Sequence, residues 1–294
     1  MATAYSKYLW YPRVTRGPEV AEPALYSTFI DIPDDLATML DVQPTPTIRL
    51  RVWLVLSKPE GPILIHWHGN GELASETAQN KKGWAMDRGV NLCCAEFRGY
   101  DGSAGTPSVA AAQADAPHTV RAVMKLLRGL HHTGQVFLMG RSMGSISALS
   151  AAVTIEAERC THPSTDKSGG GTISIGPTDT HPSPTPSCEV SGIVLDSAVT
   201  SLHHLATLAA GGREADPFHD TTDHASKLKG LSMPGLWMHA DRDQFFMVED
   251  AREMCKASSV SLKVYQDANH NYIWPFHGET MLADIATFLG CEQE

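Results

Sequence analysis

The sequence predicts an α/β fold in which a doubly wound, mostly parallel β-sheet is covered by helices on both faces. Two observations predict it: short apolar runs of strand length recur along the 294 residues, and segments with helical periodicity separate them. Apolar residues make up 42% of the chain, which is enough to fill one large core. We therefore expect a single domain over residues 1–294.

Seven apolar runs are predicted to be strands. They cover residues 48–56, 62–69, 90–97, 135–140, 191–198, 234–240 and 260–266. In the first run apolar and polar residues alternate, which is typical of a strand with one wetter face. The other runs are almost continuously apolar, as strands covered on both faces must be, and such strands are usually parallel.

Helical periodicity appears between these strands and after the last one. One apolar face is formed by Val120, Val123, Met124, Leu127 and Leu130, and another by Met281, Ile285, Phe288 and Leu289. The helix predicted after Ser142 is built of small residues, namely Ala148, Ser150, Ala151 and Ala152, which permits close packing against the sheet. The alternation of strand and helix favours right-handed crossovers.

Residues 160–188 break this alternation. The segment is rich in Pro, Gly, Ser and Thr and nearly lacks large apolar side chains. It cannot bury enough surface to offset the entropy lost on ordering. Because strands and helices resume beyond it, we predict a flexible, low-complexity surface insertion within the domain and not a linker.

Charge and composition exclude several classes of partner. The net charge is −10, and no run of Lys or Arg exceeds the pair at 81–82, which argues against nucleic acid and anionic membranes. No window approaches the roughly 18 apolar residues of a membrane span, so no stable membrane insertion is expected. The six cysteines lack metal-type spacing, and a secretory signal pattern is missing, so we expect a cytoplasmic protein.

The pentapeptide "GRSMG", residues 140–144, places a serine between two glycines after a predicted strand and before a predicted helix. A serine on such a sharp strand-to-helix turn has strained backbone angles, and flanking glycines avoid clashes. The turn projects the hydroxyl of Ser142 into the crevice at the carboxyl end of the sheet. The dipole of the following helix favours negative charge there. Ser142 is therefore a candidate nucleophile.

A serine nucleophile needs a base, an acid that orients the base, and donors for the oxyanion. His270 follows a predicted strand and precedes the last helix, so it is the candidate base. Asp241 and Asp243 follow the preceding strand, and Asp196 follows the strand before that one, so all three are candidate acids.

The oxyanion donors are predicted from two turns. The backbone N–H groups of Asn70 and Met143 form the natural pair. Asn70 lies in a turn that carries Gly69 and Gly71, although these two glycines are equally consistent with an ordinary tight strand–helix loop.

Six segments occur in an order that resembles the landmarks of the α/β-hydrolase superfamily, in its serine-nucleophile group. They are "IHWHGNGE", "EFRGYDGSAGTPS", "GRSMGSISAL", "GIVLDSA", "PGLWMHADRDQF" and "DANHN", and the likeness spans residues 49–289. The closest resemblance is to compact esterases and thioesterases and to the serine aminopeptidase-like group. It implies the order Ser142, Asp243, His270 and thereby favours Asp243 over the other acids.

The resemblance also has implications for the loops. Asp101 stands where the family usually has glycine, which alters the rim of the site, and Arg98 is expected to brace neighbouring loops. The interval 198–234 is too short for a large cap domain, so we expect two helices there and an open crevice. Candidates for the pocket wall, each equally consistent with core packing, are Leu202, Leu205, Leu208, Phe245 and Phe246.

The predicted function is a serine hydrolase that cleaves a carboxylester or thioester through an acyl-enzyme on Ser142. No metal and no organic cofactor is implied, and the expected partner is a small-molecule or acylated substrate. A peptidase or amidase is the first alternative, because it uses the same acid–base residues. A non-catalytic binding protein on the same fold is the second. The sequence indicates neither the natural substrate nor the oligomeric state.

Overall fold

The computed structural model describes residues 9–13, 24–38, 46–161, 189–209 and 222–291. Within them the strands are β1 (Leu25–Pro33), β2 (Thr47–Val55), β3 (Ile63–Trp67), β4 (Asn91–Ala95), β5 (Val136–Arg141), β6 (Val190–Asp196), β7 (Gly235–Ala240) and β8 (Val260–Tyr265). The helices are α1 (Asp35–Thr38), α2 (Ala74–Asp87), α3 (Val109–Gly129), α4 (Gly144–Thr161), α5 (Leu202–Ala209), α6 (His224–Gly230), α7 (Val248–Lys256) and α8 (Ile273–Phe288).

The strands form one mixed sheet in the order β1-β2-β4-β3-β5-β6-β7-β8. β2 is antiparallel to both of its neighbours, β1 and β4. The remaining six strands, β3 to β8, are parallel to one another. Because the carboxyl ends of the parallel strands meet at one edge, the turns that follow β3, β5, β7 and β8 converge there.

Helices cover both faces of the sheet. One buried apolar cluster packs α3, α4, α6 and α7 against one face, and a second packs α2 and α8 against the other. The central strands β3 and β4 are buried along their whole length, as the continuous apolar runs predict. The doubly wound α/β architecture predicted from the sequence is confirmed.

Two elements differ from the sequence prediction. β1 is an additional strand at the edge of the sheet, and its buried residues alternate with more exposed ones only over its second half. Helix α3 begins at Val109 and contains Pro117 in its interior, whereas the apolar face that predicts this helix begins only at Val120. The Ala-rich first turns, capped by the side chain of Ser108, lie before that proline.

The predicted insertion 160–188 lies mostly outside the described residues. Its first two residues, Cys160 and Thr161, are the last residues of α4. In the predicted two-helix interval 198–234, the described residues form α5 and α6. None of the helices described here combines the length and apolar character that a membrane span requires.

Candidate active site

The turn between β5 and α4 holds Ser142 in a left-handed backbone conformation, with φ at 49°. This conformation is costly for a residue with a Cβ atom and persists only where its surroundings fix it. The Ser142 N–H donates to the carbonyl of Asp196 at the end of β6, at 2.8 Å. The hydroxyl of Ser145 donates to the Ser142 carbonyl over 2.6 Å. The serine is thus held at the carboxyl edge of the sheet.

Both glycines of the pentapeptide are required by close backbone contacts. A Cβ atom on Gly140 would lie 2.6 Å from the Cα atom of Ser145, one turn further along the chain. A Cβ atom on Gly144 would lie 2.7 Å from the carbonyl carbon of Trp67 and 2.8 Å from the carbonyl oxygen of His68. The first turn of α4 therefore packs directly against the end of β3, which only glycine allows.

The structure brings Ser142, His270 and Asp243 together from three separate turns. His270 Nε2 lies 3.0 Å from Ser142 Oγ, although the two residues are 128 positions apart. His270 Nδ1 lies 2.7 Å from Asp243 Oδ2. Ser142 and His270 are 9% and 6% exposed, so both are largely enclosed but not sealed from solvent.

The carboxylate of Asp243 is ionised, and both of its oxygens accept hydrogen bonds. Its Oδ1 accepts the backbone N–H groups of Phe245 and Phe246, each at 2.9 Å. Burial by itself raises the pKa of Asp243, but the hydrogen bond from His270, together with the Phe246 N–H, holds that pKa below its ordinary value. Because an ionised carboxylate only accepts, Nδ1 of His270 carries the proton, and Nε2 is left to accept from the hydroxyl of Ser142.

The other two candidate acids lie elsewhere. Asp241 accepts the backbone N–H of Ala268 at 3.1 Å. Asp196 accepts the indole N–H of Trp274 at 2.6 Å and the hydroxyl of Ser197 at 3.1 Å. Of the three carboxylates, the one that contacts the imidazole of His270 is therefore the one that the resemblance favours.

The two predicted oxyanion donors are available. Among the described residues, neither the backbone N–H of Asn70 nor that of Met143 has a hydrogen-bond acceptor. Met143 directly precedes the first residue of α4, where the helix dipole favours negative charge. Asn70 lies in the turn that follows β3, the strand against which Gly144 packs.

Comparison with known proteins identifies the architecture. No protein-family model matches the chain, and no curated protein matches it at significant similarity. Among solved structures, esterase Pf2001 of Pyrococcus furiosus is similar over 96% of this chain and 97% of its own, with a TM-score of 0.64 and 14% identity. The chain has the α/β-hydrolase fold.

Two further structures share this fold with the chain. An esterase from the archaeon Pyrobaculum calidifontis covers 91% of this chain and 86% of its own, with a TM-score of 0.60 and 16% identity. Esterase 2 of Thermogutta terrifontis covers 91% of this chain and 94% of its own, with a TM-score of 0.57 and 14% identity.

In this α/β-hydrolase fold, buried ion pairs fix the turn after β3. The His68 ring donates from Nδ1 to the Gly69 carbonyl at 2.7 Å, and its Nε2 lies 2.8 Å from Glu96. Burial opposes the charged imidazole, but Glu96 outweighs it and raises the pKa of His68. The second carboxylate oxygen of Glu96 accepts the N–H of Ala74, at the start of α2.

A second ion pair joins this turn to the serine turn. Glu72 accepts the Gly69 N–H at 2.9 Å and pairs with Arg141 at 2.7 Å. Burial raises the pKa of Glu72, but the Arg141 guanidinium and the Gly69 N–H outweigh it and bring the pKa down to about 2. Arg141 also reaches Asp196, at 3.5 Å. The sequence alone indicates no role for Glu72 or Arg141, since each role depends on a partner distant along the chain.

The loop that carries Asp243 is supported by His239. Its Nδ1 accepts the indole N–H of Trp237 at 3.2 Å, so its Nε2 carries the proton and donates to the carbonyl of Phe246 at 2.8 Å. Burial lowers the pKa of His239, which keeps this imidazole neutral.

Of the residues predicted to line the pocket wall, the two phenylalanines lie at the site and the described leucines pack in the core. The rings of Phe245 and Phe246 stand edge-on to the His270 imidazole, with centroids 5.0 and 5.5 Å away. Leu202 is fully buried in the core and Leu205 packs against the same cluster. The side chain of Leu208 lies outside the described part of the chain.

The two residues of the rim loop have structural roles. Asp101 adopts a φ of 40°, a backbone conformation that favours glycine, and its carboxylate accepts the indole N–H of Trp53 at 3.1 Å. Arg98 makes a two-pronged ion pair with Asp115 at 2.6 and 2.7 Å and also reaches Asp34 at 2.9 Å. Arg98 thus joins the loop after β4 to helix α3 and to the turn before α1. Over the described ranges, His, Cys, Asp and Glu side chains form no group of three or more suited to a metal ion.

Proposed function

We propose that this chain is a serine hydrolase that cleaves carboxylesters or thioesters through an acyl-enzyme on Ser142. The observation that carries the proposal is the continuous relay from hydroxyl to imidazole to carboxylate, with links of 3.0 and 2.7 Å. The 3.0 Å link lets His270 take the Ser142 proton without movement of the chain, and the 2.7 Å link holds the imidazole in place.

The residues have distinct parts in the first half-reaction. Ser142 Oγ attacks the acyl carbon while His270 Nε2 takes its proton, and Asp243 stabilises the imidazolium that forms. The negative charge moves to the carbonyl oxygen, which the N–H groups of Asn70 and Met143 bind. When the tetrahedral intermediate collapses, the alcohol or thiol leaves with the proton from His270. Water then repeats the sequence on the acyl-enzyme and frees the acid and Ser142.

Ser142 is favoured as the nucleophile over its nearest counterpart. Ser197 directly follows β6, the neighbouring strand, and has almost the same strained backbone, at a φ of 47°. Its hydroxyl donates to the Asp196 carboxylate and is fully buried, and it has no hydrogen bond to a histidine among the residues that the structure describes. Strained geometry alone therefore does not distinguish the two serines; the contact with a base does.

Ester substrates are favoured over amides by the structural neighbours, several of which are esterases. Esterase 2 of Thermogutta terrifontis is described as phosphorylated by paraoxon. An organophosphate that reacts with an activated serine is accordingly the direct probe for this chain.

The test compares the native chain with Ser142→Ala and with Ser197→Ala as the matched control. After treatment with a fluorophosphonate probe, intact-mass measurement should find one added phosphonyl group on the native chain and on Ser197→Ala, and none on Ser142→Ala. Absence of labelling on the native chain would overturn the proposal and favour a binding protein.

A substrate panel then separates the hydrolase classes. Short- and long-acyl esters and thioesters should be turned over faster than aminoacyl anilides, and Ser142→Ala should abolish turnover of all of them. Preference for the anilides would make the protein a peptidase or amidase.

A further inference from the structure

A short N-terminal segment, residues 9–13, crosses the turn that carries the proposed oxyanion donor; we name it the N-terminal strap. Leu9 and Trp10 are 2% and 4% exposed. The Trp10 ring packs edge-on against Phe97 at 5.0 Å and Tyr100 at 6.4 Å between centroids. The backbone carbonyl of Arg13 accepts the N–H of Asp101 at 3.0 Å. The strap is thus anchored in the core and in the rim loop.

The strap is bonded to the side chain of Asn70. The Asn70 Nδ2 group donates to the Leu9 carbonyl at 2.9 Å, and Oδ1 accepts the backbone N–H of Tyr11 at 2.8 Å. Oδ1 also accepts the hydroxyl of Tyr100 at 3.0 Å. Both polar atoms of this side chain are used, and none of these bonds involves the proposed relay of Ser142, His270 and Asp243.

The backbone N–H of Asn70 is held from two directions. Its peptide is planar and trans, so the N–H points away from the Gly69 carbonyl. That carbonyl accepts from the His68 ring at 2.7 Å and from the Glu72 N–H at 3.3 Å, which fixes one end of the peptide. The Asn70 side chain, held by the strap, fixes the other end.

We propose that the N-terminal strap is a positioning element of the oxyanion site and acts through the side chain of Asn70. The inference rests on the proposed function, because it assigns the Asn70 N–H to the developing negative charge. The inference requires an asparagine at position 70, because its side-chain amide both donates to and accepts from the backbone of the strap. Alanine keeps the backbone N–H but loses all three bonds.

The expected effect falls on the chemical step. Loss of a whole oxyanion donor costs about 10²- to 10³-fold in kcat. A donor that is present but less well held should cost less, so we expect Asn70→Ala to lower kcat about 10- to 100-fold. KM for a small ester should change less than about threefold, since the ground-state carbonyl depends little on this contact. Tyr100→Phe removes one of the three bonds and should lower kcat by a smaller factor.

The experiment measures kcat and KM on a short-chain ester and the melting temperature of each variant. Asn80→Ala is the matched control: it truncates the same amide on an exposed position of α2 and should leave kcat unchanged. Trp10→Ala disturbs the strap without altering Asn70, and it should reproduce a loss in kcat. Because both changes act on one unit, the double variant should be no slower than about the slower single variant.

Two outcomes would overturn the inference. One is an Asn70→Ala variant that is folded and turns over at the native kcat. The other is a double variant whose loss is the product of the two single losses, which would make strap and side chain independent. Failure of the proposed function is distinguished from both, because it would show as a native chain that neither reacts with the fluorophosphonate nor turns over esters, or as turnover that survives Ser142→Ala.

Discussion

The same substitution, glycine to alanine, should have opposite effects in two helices of this protein. Gly144 opens α4 behind the proposed nucleophile, and Gly83 lies in α2. At Gly83 a Cβ atom would meet nothing within 4 Å, whereas at Gly144 it would press on the backbone of Trp67 and His68. The pair therefore tests the serine turn itself, independently of any activity.

The magnitudes follow from these contacts. At Gly144 the new carbon would lie 2.7 Å from one backbone atom and 2.8 Å from another, well inside the ordinary contact distance of about 3.5 Å. Neither atom belongs to a side chain that could move aside, so overpacking should cost about 3 kcal/mol. Alanine regains about 1 kcal/mol in a helix, which leaves a net loss of about 2 kcal/mol. At Gly83 only the gain of about 1 kcal/mol applies.

Urea unfolding followed by tryptophan fluorescence measures both effects. With a slope of about 3 kcal/mol/M, Gly144→Ala should lower the midpoint by about 0.7 M, and Gly83→Ala should raise it by about 0.3 M. If Gly144→Ala proved as stable as Gly83→Ala, α4 could not pack against the end of β3 as described, and the reasoning about the serine turn would be refuted.

Three further substitutions test the interactions around the site. The pKa of Glu72 is lowered from 4.5 to about 2, so its contribution to stability is complete above about pH 4.5 and is lost as the pH falls through 2. Glu72→Gln should lower the unfolding free energy at pH 7 and flatten its decline between pH 4.5 and 2; an unaltered pH profile from urea titrations would contradict this. Arg98→Met leaves the Asp115 carboxylate buried without its cation and should cost about 3 kcal/mol in urea unfolding. Adding Asp115→Leu should restore most of that loss, and a double variant no more stable than Arg98→Met would argue against the pair. His239→Phe leaves the buried Phe246 carbonyl without its donor and should cost about 2 kcal/mol, with an unchanged melting temperature as the contrary result.

Much of the fold could be predicted from the sequence because its signals are local. Continuous apolar runs identified the central strands, and the periodicity of Val120, Val123 and Leu127 identified α3. The start of α3 could not be predicted in the same way. Pro117 lacks an N–H group and ordinarily begins or breaks a helix, yet here it is buried within one, where packing outweighs the lost hydrogen bond.

In the candidate site, too, local features could be predicted from the sequence, whereas contacts between distant residues could not. The sequence alone determined the strand–serine–helix turn, because its two glycines, its apolar strand and its small-residue helix are contiguous. It also determined the candidate base, His270, and the three candidate acids. Only the tertiary structure decided that Asp243 contacts His270, that Glu72 and Arg141 join two turns, and that residues 9–13 bond to Asn70. The reason is that a hydrogen bond depends on distance and direction in space, and chain folding brings together partners as far as 128 positions apart.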